Sequence, residues 1–243
     1  MKFQQHYSGS KANLYIVHFS TGQRLLLECG VTWPKLQESL KFDLQGILGC
    51  FVTHEHMDHC KAINDVMDAG IDAYTSMGTF EALREIHFPP IAYHRRAKMI
   101  ADKTLTRLTK DIGVLAFKLN HDAAEPLGFV IREGGDYLLF APETNYIVQK
   151  FNIAFQIIAI ECSFDKDTLT KRVKSGEINE TLAKRLLYTH MSKQTAMDYL
   201  DEHCDMSKCQ EIHLIHMSNT NIDDRQKIAN EFENRFFIET KVI

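Results

Sequence analysis

The stretch Gly49-Cys50-Phe51-Val52-Thr53-His54-Glu55-His56-Met57-Asp58-His59 carries the strongest signal for the fold and chemistry of this chain. Its apolar beginning predicts a buried strand, and four side chains of metal-ligand type follow within the next six residues. Because alternate residues of an extended chain point the same way, His54 and His56 are able to bind one ion. A turn after His56 lets Asp58 and His59 face a second ion beside it. Imidazole and carboxylate ligands together suit Zn²⁺, Mn²⁺ or iron. The alternative is a solvated histidine-rich loop that binds no metal.

Three further residues of ligand type stand where a predicted strand gives way to a loop, as His54 does. They are His121, Glu143 and His216. Groups that are held at one edge of a rigid sheet are able to converge on a common point. A single histidine at a strand end is more often structural, but three such positions beside the motif favour a shared metal site.

Length and composition place the chain among ordinary globular proteins. It has 243 residues, of which 44% are hydrophobic and 25% charged, and its net charge is -4. We expect one domain over residues 1–243. The acidic balance excludes a uniformly basic nucleic-acid coat protein, so any nucleic-acid site must be a local patch.

The same features predict a cytoplasmic protein without a membrane segment. No apolar run reaches the roughly 18 residues that a membrane span needs, and the first residues lack the pattern of a secretory signal. The six cysteines lie next to apolar segments, which predicts reduced, buried thiols rather than disulfides.

Short apolar runs predict strands in two groups, with helical patterns in both halves of the chain. This pattern suits two sheets packed face to face with helices outside, although periodicity alone supports only an α/β or α+β class. The predicted helices include 58–69, 94–109 and 166–187, and a last strand is predicted at 236–242. The pair Gly134-Gly135 predicts a hairpin turn.

At the motif residues the sequence resembles the metallo-β-lactamase-fold hydrolases, whose signature is H-x-H-x-D-H. More narrowly it resembles the YycJ/WalJ-like branch, which is similar to exonuclease and ribonuclease Z members. The similar segments are 8–13, 26–30, 52–59, 121–129, 161–165, 189–192 and 215–218. The resemblance implies an α+β fold, a four-layer αββα sandwich with two divalent metal ions, Zn²⁺ or Mn²⁺, between the sheet edges.

The family pattern divides the predicted ligands between two ions. His54, His56 and His121 bind one ion, and Asp58, His59 and His216 bind the other. Glu143 stands where the family has a bridging aspartate, so its longer arm must bridge both ions or bind only one. Asp122 is the alternative carboxylate. Glu28 stands in a Glu-Cys-Gly segment where relatives often have Asp-Ala-Gly, and it is the candidate to replace a carboxylate behind the ligands.

Two His-Met-Ser segments follow, of which one is expected to supply a metal ligand. His216 follows an apolar strand and is assigned to metal. His190 follows a helical pattern, and we expect it to contact phosphate or protonate the leaving group; the alternative is a structural histidine at the helix end. Ser192 is a candidate substrate contact or the N-cap of the next helix. Asp58 and His190 are thus the predicted catalytic residues, Asp58 by orienting the attacking water.

The resemblance implies a metal-dependent phosphodiesterase, a nuclease of 5′ exonuclease type that attacks DNA or RNA with a metal-bound hydroxide at a dinuclear site. The alternatives are a cyclic-nucleotide phosphodiesterase of the same fold, a thioester or lactone hydrolase, and a non-catalytic metal-binding protein. The expected partner is a nucleic-acid or nucleotide phosphodiester substrate, and a homodimer is expected only by analogy.

Local charge agrees with an anionic substrate. Residues 84–118 contain eight basic and three acidic residues, a net charge of +5. Arg95, Arg96 and Lys98 are the candidate substrate-binding residues, and 88–112 is a candidate lid or insertion. Four rings that are able to stack on bases are His87, Phe88, Tyr93 and His94. The alternative is a solvated helix face without a binding role.

Overall fold

The computed structural model describes residues 1–86 and 95–243. Chain contacts divide it into two compact units. The first unit comprises Met1–Lys118, Ala123–Leu127 and Ile243, and the second unit comprises Leu119–Asp122 and Gly128–Val242. The prediction of one domain over 1–243 stays a prediction.

The first unit is built on a six-stranded sheet whose spatial order follows the chain. Its strands are β1 Lys2–Tyr7, β2 Leu14–His18, β3 Arg24–Leu27, β4 Ile47–Phe51, β5 Ala73–Thr75 and β6 Ala97–Met99. The pairs β1–β2 and β2–β3 are antiparallel, and β3 to β6 pair in parallel. Two further strands of this unit, β7 Leu105–Arg107 and β8 Ile112–Lys118, form an antiparallel pair.

Helices make the crossovers that parallel strands require. They are α1 Trp33–Ser39, α2 Met57–Cys60, α3 Ile63–Asp68 and α4 Met77–Ile86. Leu36 of α1 and Val66 of α3 pack in one apolar cluster with Leu26 of β3 and Val52, which follows β4. This core holds the end of β4 rigidly, and the histidine motif begins there.

The second unit places five strands in the order β13-β12-β11-β10-β9. Their bounds are β9 Leu127–Glu133, β10 Asp136–Ala141, β11 Ile157–Glu161, β12 Glu211–Ile215 and β13 Glu239–Lys241. β9 and β10 are antiparallel, and β10 to β13 pair in parallel. The connecting helices are α5 Lys166–Lys174, α6 Glu180–Thr189, α7 Lys193–His203 and α8 Arg225–Phe236. All five residues of β11 are buried, as expected for a central parallel strand.

Several local predictions were wrong, each for an identifiable reason. The described part of the segment 94–109 forms β6 and β7 rather than a helix, because β6 pairs with β5. The helix predicted at 166–187 is broken at Gly176, whose φ of +78° is unfavourable for other residues. The helix predicted at 58–69 is two short helices, α2 and α3.

The last predicted strand, 236–242, is shorter than expected. Helix α8 extends through Phe236, and Phe237 then adopts a left-handed backbone with φ +57°, which ends the helix. Strands form only at Glu239–Lys241. The sequence analysis also missed β1 and α1, whereas the hairpin turn at Gly134-Gly135 joins β9 to β10 as predicted.

All six cysteines are free thiols. No helix among residues 1–86 and 95–243 is both long and apolar enough to span a bilayer. The predicted stacking residues at 87–94 lie outside the described residues, as does part of the candidate lid 88–112. The described part of that lid includes β6 and β7, and a lid function stays a prediction.

Candidate metal centre

The motif follows directly on β4, and its first two histidines lie side by side. His54 is 1% exposed, and its Nε2 lies 2.9 Å from Nδ1 of His56. Two ligand nitrogens on one tetrahedral zinc ion lie about 3.3 Å apart, because each Zn–N bond is about 2.0–2.1 Å long. The separation of the two rings is therefore compatible with a single ion between them.

A buried hydrogen-bond chain fixes the tautomer of His54. The Thr53 hydroxyl lies 2.6 Å from Oε1 of Glu28 and donates its only proton to that carboxylate. The same hydroxyl lies 2.9 Å from Nδ1 of His54, so it accepts a hydrogen bond from that ring nitrogen. The Nε2 atom of a neutral His54 therefore carries the lone pair that a metal ion requires.

The chain changes direction after His56, which is the N-cap of α2, and Asp58 and His59 lie in the first turn of that helix. Nδ1 of His59 lies 3.3 Å from Oε1 of Glu28, and Nε2 lies 3.5 Å from Oδ2 of Asp58. The side-chain amide of Asn13 lies 3.0 Å from the same Nε2. Glu28 thus stands behind His59, where the sequence analysis expected a supporting carboxylate. The sequence analysis gave Asn13 no function of its own and included it only in the similar segment 8–13.

The backbone of the motif lies against a glycine of the neighbouring segment. A Cβ added to Gly30 would lie 1.6 Å from the carbonyl oxygen of Asp58 and 2.6 Å from the amide nitrogen of His59. The amide of Cys29 donates to the carbonyl of His59 at 2.8 Å. The position of Asp58 and His59 therefore depends on the absence of a side chain at Gly30.

In the second unit, two histidines converge on the carboxylate of Glu143. Nε2 of His121 lies 3.2 Å from Oε2, and Nε2 of His216 lies 2.7 Å from Oε1. Glu143 is 5% exposed and His216 is 4% exposed. Both adopt positive φ values, +36° and +53°, which are uncommon for residues other than glycine. Such a backbone persists only where the surrounding structure enforces it.

Glu161 supports this group from behind and was given no function by the sequence analysis. It is the last residue of β11 and is fully buried. Its Oε1 lies 2.7 Å from Nδ1 of His190 and 3.2 Å from Nδ1 of His216. Its Oε2 accepts hydrogen bonds from the backbone amides of Thr144 and Met191. An acidic residue at the end of an otherwise apolar strand was the available signal.

The carboxylates dominate the electrostatics of this group. Burial alone raises the pKa of Glu161, but the charges and hydrogen bonds of His190 and His216 lower it to about 2. Burial lowers the pKa of His216, whereas Glu143 and Glu161 raise it to about 10. The pKa of His121 is also raised: burial opposes this, and Glu143 outweighs it. Glu143 and Glu161 therefore favour positive charge beside them, either on the histidine rings or on a bound cation.

Four histidines, three of them buried and His121 with a side chain 3% exposed, share one arrangement that fits a metal ion. In each of these rings, Nδ1 contacts an oxygen of the protein. The other ring nitrogen, Nε2, faces the neighbouring residues of ligand type. These oxygens belong to Thr53 for His54, Glu28 for His59, the backbone of Thr189 for His121, and Glu161 for His216. Metal-ligating histidines are held in this way, since the second nitrogen fixes the ring and raises the basicity of the first. In the second unit, ligand atoms of Glu161, His190 and His216 also lie within 4.8 Å of one another.

The remaining predicted site residues have other contacts. The side chain of Asp122 is 62% exposed and lies 3.4 Å from Arg185. Ser192 is the N-cap of α7, where its hydroxyl accepts a hydrogen bond from the amide of Thr195 at 3.1 Å. Its buried position matches the structural alternative for this residue.

The basic candidates lie along the segment that forms β6. Arg96 pairs with Asp72 at 2.9 Å, and Nζ of Lys98 lies 3.2 Å from the carbonyl oxygen of Arg95. The pairing of Arg96 with a carboxylate lowers its availability for an anionic substrate. A substrate-binding function for these three residues stays a prediction.

With this geometry described, comparison with known proteins places the chain in a family. The family model described as "Beta-lactamase superfamily domain" matches residues 23–217, and the chain belongs to that family. The metallo-β-lactamase membership predicted from the motif is therefore confirmed, and it supports a hydrolase.

Three relatives illustrate the similarity in sequence. An anti-Pycsar protein Apyc1 of Bacillus phage 010DV004 is 41% identical over 54 residues, 22% of this chain and 21% of the phage protein. Exodeoxyribonuclease YycJ of Bacillus anthracis is 25% identical over 58% of this chain and 53% of that protein. Exodeoxyribonuclease WalJ of Streptococcus pneumoniae serotype 2 is 24% identical over 88% of this chain and 80% of that protein. In the first two alignments the chain spans about a fifth and about half of the relative's length.

Solved structures show the same fold. The metallo-β-lactamase fold protein YhfI from Bacillus subtilis has a TM-score of 0.72 at 14% identity, covering 99% of this chain and 95% of YhfI. Zn²⁺-bound PqqB from Methylobacterium extorquens has a TM-score of 0.68 at 15% identity, covering 94% and 84%. A diphosphatase from the PhnP family has a TM-score of 0.66 at 12% identity, covering 99% and 93%. These similarities confirm the predicted α+β fold.

Proposed function

We propose that this protein is a metal-dependent phosphodiesterase, and more narrowly a nuclease of exonuclease type that acts on DNA or RNA. The histidine arrangement described above carries the proposal. Four imidazoles from three segments present Nε2 to a first cluster, His54, His56, Asp58 and His59, or to a second cluster, His121, Glu143 and His216, and buried carboxylates stand beside or behind them. A solvated histidine-rich loop would need neither the buried Glu28 nor the buried Glu161.

Two divalent ions, Zn²⁺ or Mn²⁺, are proposed to be held by residues of both clusters. His54, His56 and His121 would hold one ion, and Asp58, His59 and His216 would hold the other. Glu143 contacts His121 with one carboxylate oxygen and His216 with the other, and this contact supports a bridging function. When bound, two such metal ions neutralise charge on a phosphodiester and supply an activated water.

The protein groups then have separate tasks. Asp58 lies at the start of α2 with its side chain partly exposed, where it is able to orient the attacking water. His190 is also partly exposed, and Glu161 holds its Nδ1, so its Nε2 is the atom proposed to contact phosphate or protonate the leaving oxygen. Glu161 is a positioning residue, since it acts through His190 and His216.

The similarity to YycJ and WalJ, which are named exodeoxyribonucleases, supports a nucleic-acid substrate over an uncharged ester. Strand polarity, the choice between DNA and RNA, and a homodimeric state belong to the proposal, and the experiment below tests the choice between DNA and RNA.

The test uses the purified 243-residue chain with Mn²⁺ or with Zn²⁺. Labelled DNA and RNA strands, cyclic nucleotides, a thioester and a lactone are the substrates. We expect cleavage of a nucleic-acid strand, loss of that activity in His56→Ala and Asp58→Ala, and unchanged far-ultraviolet circular dichroism in both variants. Wild-type turnover by either variant refutes the proposed centre. Cleavage of only cyclic nucleotides or only the esters replaces the nuclease proposal with that alternative.

Metal analysis separates the two His-Met-Ser histidines. We expect His190→Ala to slow turnover at full metal content, and His216→Ala to lose one equivalent of metal. The reverse result would exchange their assignments.

A further inference from the structure

The C-terminal half of α6 presents an exposed aromatic ring beside two cationic side chains. Tyr188 is 73% exposed, and Lys184 and Arg185 of the same helix are exposed as well. Because residues three and four apart lie on one face of a helix, both cations neighbour the tyrosine. Ala183 and Leu186 make the core contacts of α6 on another face, so the core does not need the tyrosine ring.

The structure fixes this end of α6 to the histidine cluster of the second unit. Nδ1 of His121 lies 2.8 Å from the carbonyl oxygen of Thr189, the residue after Tyr188. His190 is the C-cap of this helix, and its ring centroid lies 5.2 Å from that of His121 and 5.4 Å from that of His216. Tyr188 therefore stands on the last turn of a helix whose end the histidine cluster holds.

Arg185 is placed so that an anion is able to recruit it. It pairs with Asp122, the neighbour of His121 in sequence, at 3.4 Å, and the two side chains are 66% and 62% exposed. An ion pair this exposed contributes little stability, so exchanging the carboxylate for a phosphate costs little.

We propose that Tyr188, Lys184 and Arg185 form a stacking platform for a single-stranded nucleic acid at the margin of the metal centre. The inference rests on the proposed nuclease function and narrows its substrate to strands with unstacked bases. One base stacks on the Tyr188 ring, and the flanking phosphates contact the two cations. Proteins that bind single strands combine these elements, because every base has a face that stacks and every linkage carries a negative charge. In a paired duplex the same base faces are already covered by their neighbours.

The experiment compares Tyr188→Ala, Tyr188→Phe and Leu182→Ala with the wild type, all loaded with Mn²⁺. Leu182 is the matched control, because it is an exposed apolar residue of the same helix, 43% exposed, on another face. The substrates are a single-stranded DNA and a single-stranded RNA dodecamer, the blunt DNA duplex of the same sequence, and bis(p-nitrophenyl) phosphate. Binding is measured by fluorescence anisotropy with phosphorothioate strands, which resist cleavage.

For Tyr188→Ala we expect KM and Kd for the preferred single strand to rise about tenfold, within the range measured for loss of one base–aromatic stack, while kcat changes less than twofold. The loss of kcat/KM is expected to be at least fivefold larger for the strand than for the small diester. Tyr188→Phe keeps the ring and is expected to keep wild-type values, as is Leu182→Ala. A Lys184→Gln, Arg185→Gln double variant, which leaves the ring in place, is expected to reduce the salt dependence of binding.

The results distinguish this inference from the function on which it rests. A wild type that cleaves neither the strands nor the small diester overturns the proposed function. A wild type that cleaves a strand, with Tyr188→Ala unchanged or Tyr188→Phe equally impaired, overturns only the platform. Preferential cleavage of the duplex also overturns the platform. So does a Tyr188→Ala variant that binds strands as the wild type does but no longer binds a protein partner. If Tyr188→Ala does not fold, the Lys184→Gln, Arg185→Gln double variant decides. An unchanged salt dependence of strand binding in that variant overturns the platform.

Discussion

At the scale of single residues, the orientation of each imidazole is set by the atom behind it. His121 depends on a backbone carbonyl, whereas His190 and His216 share one oxygen of Glu161. Because Glu161 also accepts two backbone amides, its carboxylate is held in one position. Two rings are therefore fixed by one buried group, and a change at that group affects both.

We predict that Glu161→Gln lowers kcat by about 10–100-fold, the range for loss of a group that orients metal ligands. The glutamine amide offers one oxygen instead of two and places a donor against ring N–H groups or backbone amides. The measurements are kcat and KM on the preferred strand, with metal content determined on the same samples. KM is expected to change less than kcat, because the substrate platform at Tyr188 is untouched.

Glu202→Gln is the control, since the side chain of Glu202 is 71% exposed. A Glu161→Gln enzyme with wild-type kcat and full metal content would remove Glu161 from the centre. Equal losses in both variants would indicate a nonspecific effect.

At the scale of elements, strand ends and helix starts position the groups. His54 follows β4 and His56 precedes α2, and Glu161 ends β11. Segments outside the motif also determine where its side chains lie. Gly30 is an example, because it packs closely against the backbone of Asp58.

Gly30→Ala is predicted to displace the start of α2 and to reduce metal content, because the added Cβ overlaps backbone atoms that no side-chain rotation can move. We expect a loss of about 2 kcal/mol or more in the free energy of unfolding, within the range for overpacking in a buried site. Urea unfolding and metal analysis test this. Gly135→Ala is the matched control, since a Cβ there has nothing within 4 Å. Full metal content in Gly30→Ala would contradict the prediction.

A second prediction at this scale concerns the start of α5. The Asp165 carboxylate accepts the backbone amides of Asp167 and Thr168 and pairs with Lys193 at 2.5 Å. Burial raises its pKa, but Lys193 and the two amides outweigh this, so the pKa lies below its usual value. The stabilisation is therefore present above the unfolded-state pKa, near 3.9, and is lost as the pH falls through the lower native value.

We predict that Asp165→Asn lowers the free energy of unfolding by about 1–2 kcal/mol at pH 7, the range for a hydrogen bond to a charged group. The difference from wild type should shrink below pH 4, where the wild-type carboxylate becomes protonated. Urea unfolding at pH 7 and pH 3 measures it, with the exposed Asp136→Asn as control. A difference of the same size at both pH values would show that the charge is not responsible.

At the scale of the whole molecule, the proposed metal ions would be ligands that bind only the folded chain. Their predicted ligands lie at separate places between residues 54 and 216 of the sequence, so the unfolded chain holds no preformed site. Binding to the native state alone raises the melting temperature by mass action.

Removal of metal with a chelator is predicted to lower the melting temperature by about 5–10 °C. This range follows from about 2.7 kcal/mol at a metal concentration of 100 Kd and about 2–4 °C for each kcal/mol in a chain of this size. Calorimetry before and after chelation, and after addition of Zn²⁺ or Mn²⁺, measures the effect. The shift should be smaller in His56→Ala, and an equal shift in that variant would contradict the proposed ligand.

The sequence by itself determined the family, the two groups of strands and the histidine motif. These depend on information that is local in the chain: residues two apart in an extended segment share a side, and an apolar run that ends at polar residues marks a strand end. Such patterns also identified His121, Glu143 and His216 as strand-end candidates without showing what holds them.

Only the tertiary structure decided which groups meet. Glu161 contacts histidines 29 and 55 residues away, and Glu28 contacts Thr53, 25 residues away; no periodicity encodes these separations. The segment predicted as a helix at 94–109 contains β6 for the same reason, since hydrogen bonds to β5 outweighed its local pattern. A local pattern reports which side chains face a core, whereas pairing between distant segments depends on backbone and side-chain contacts that exist only after folding.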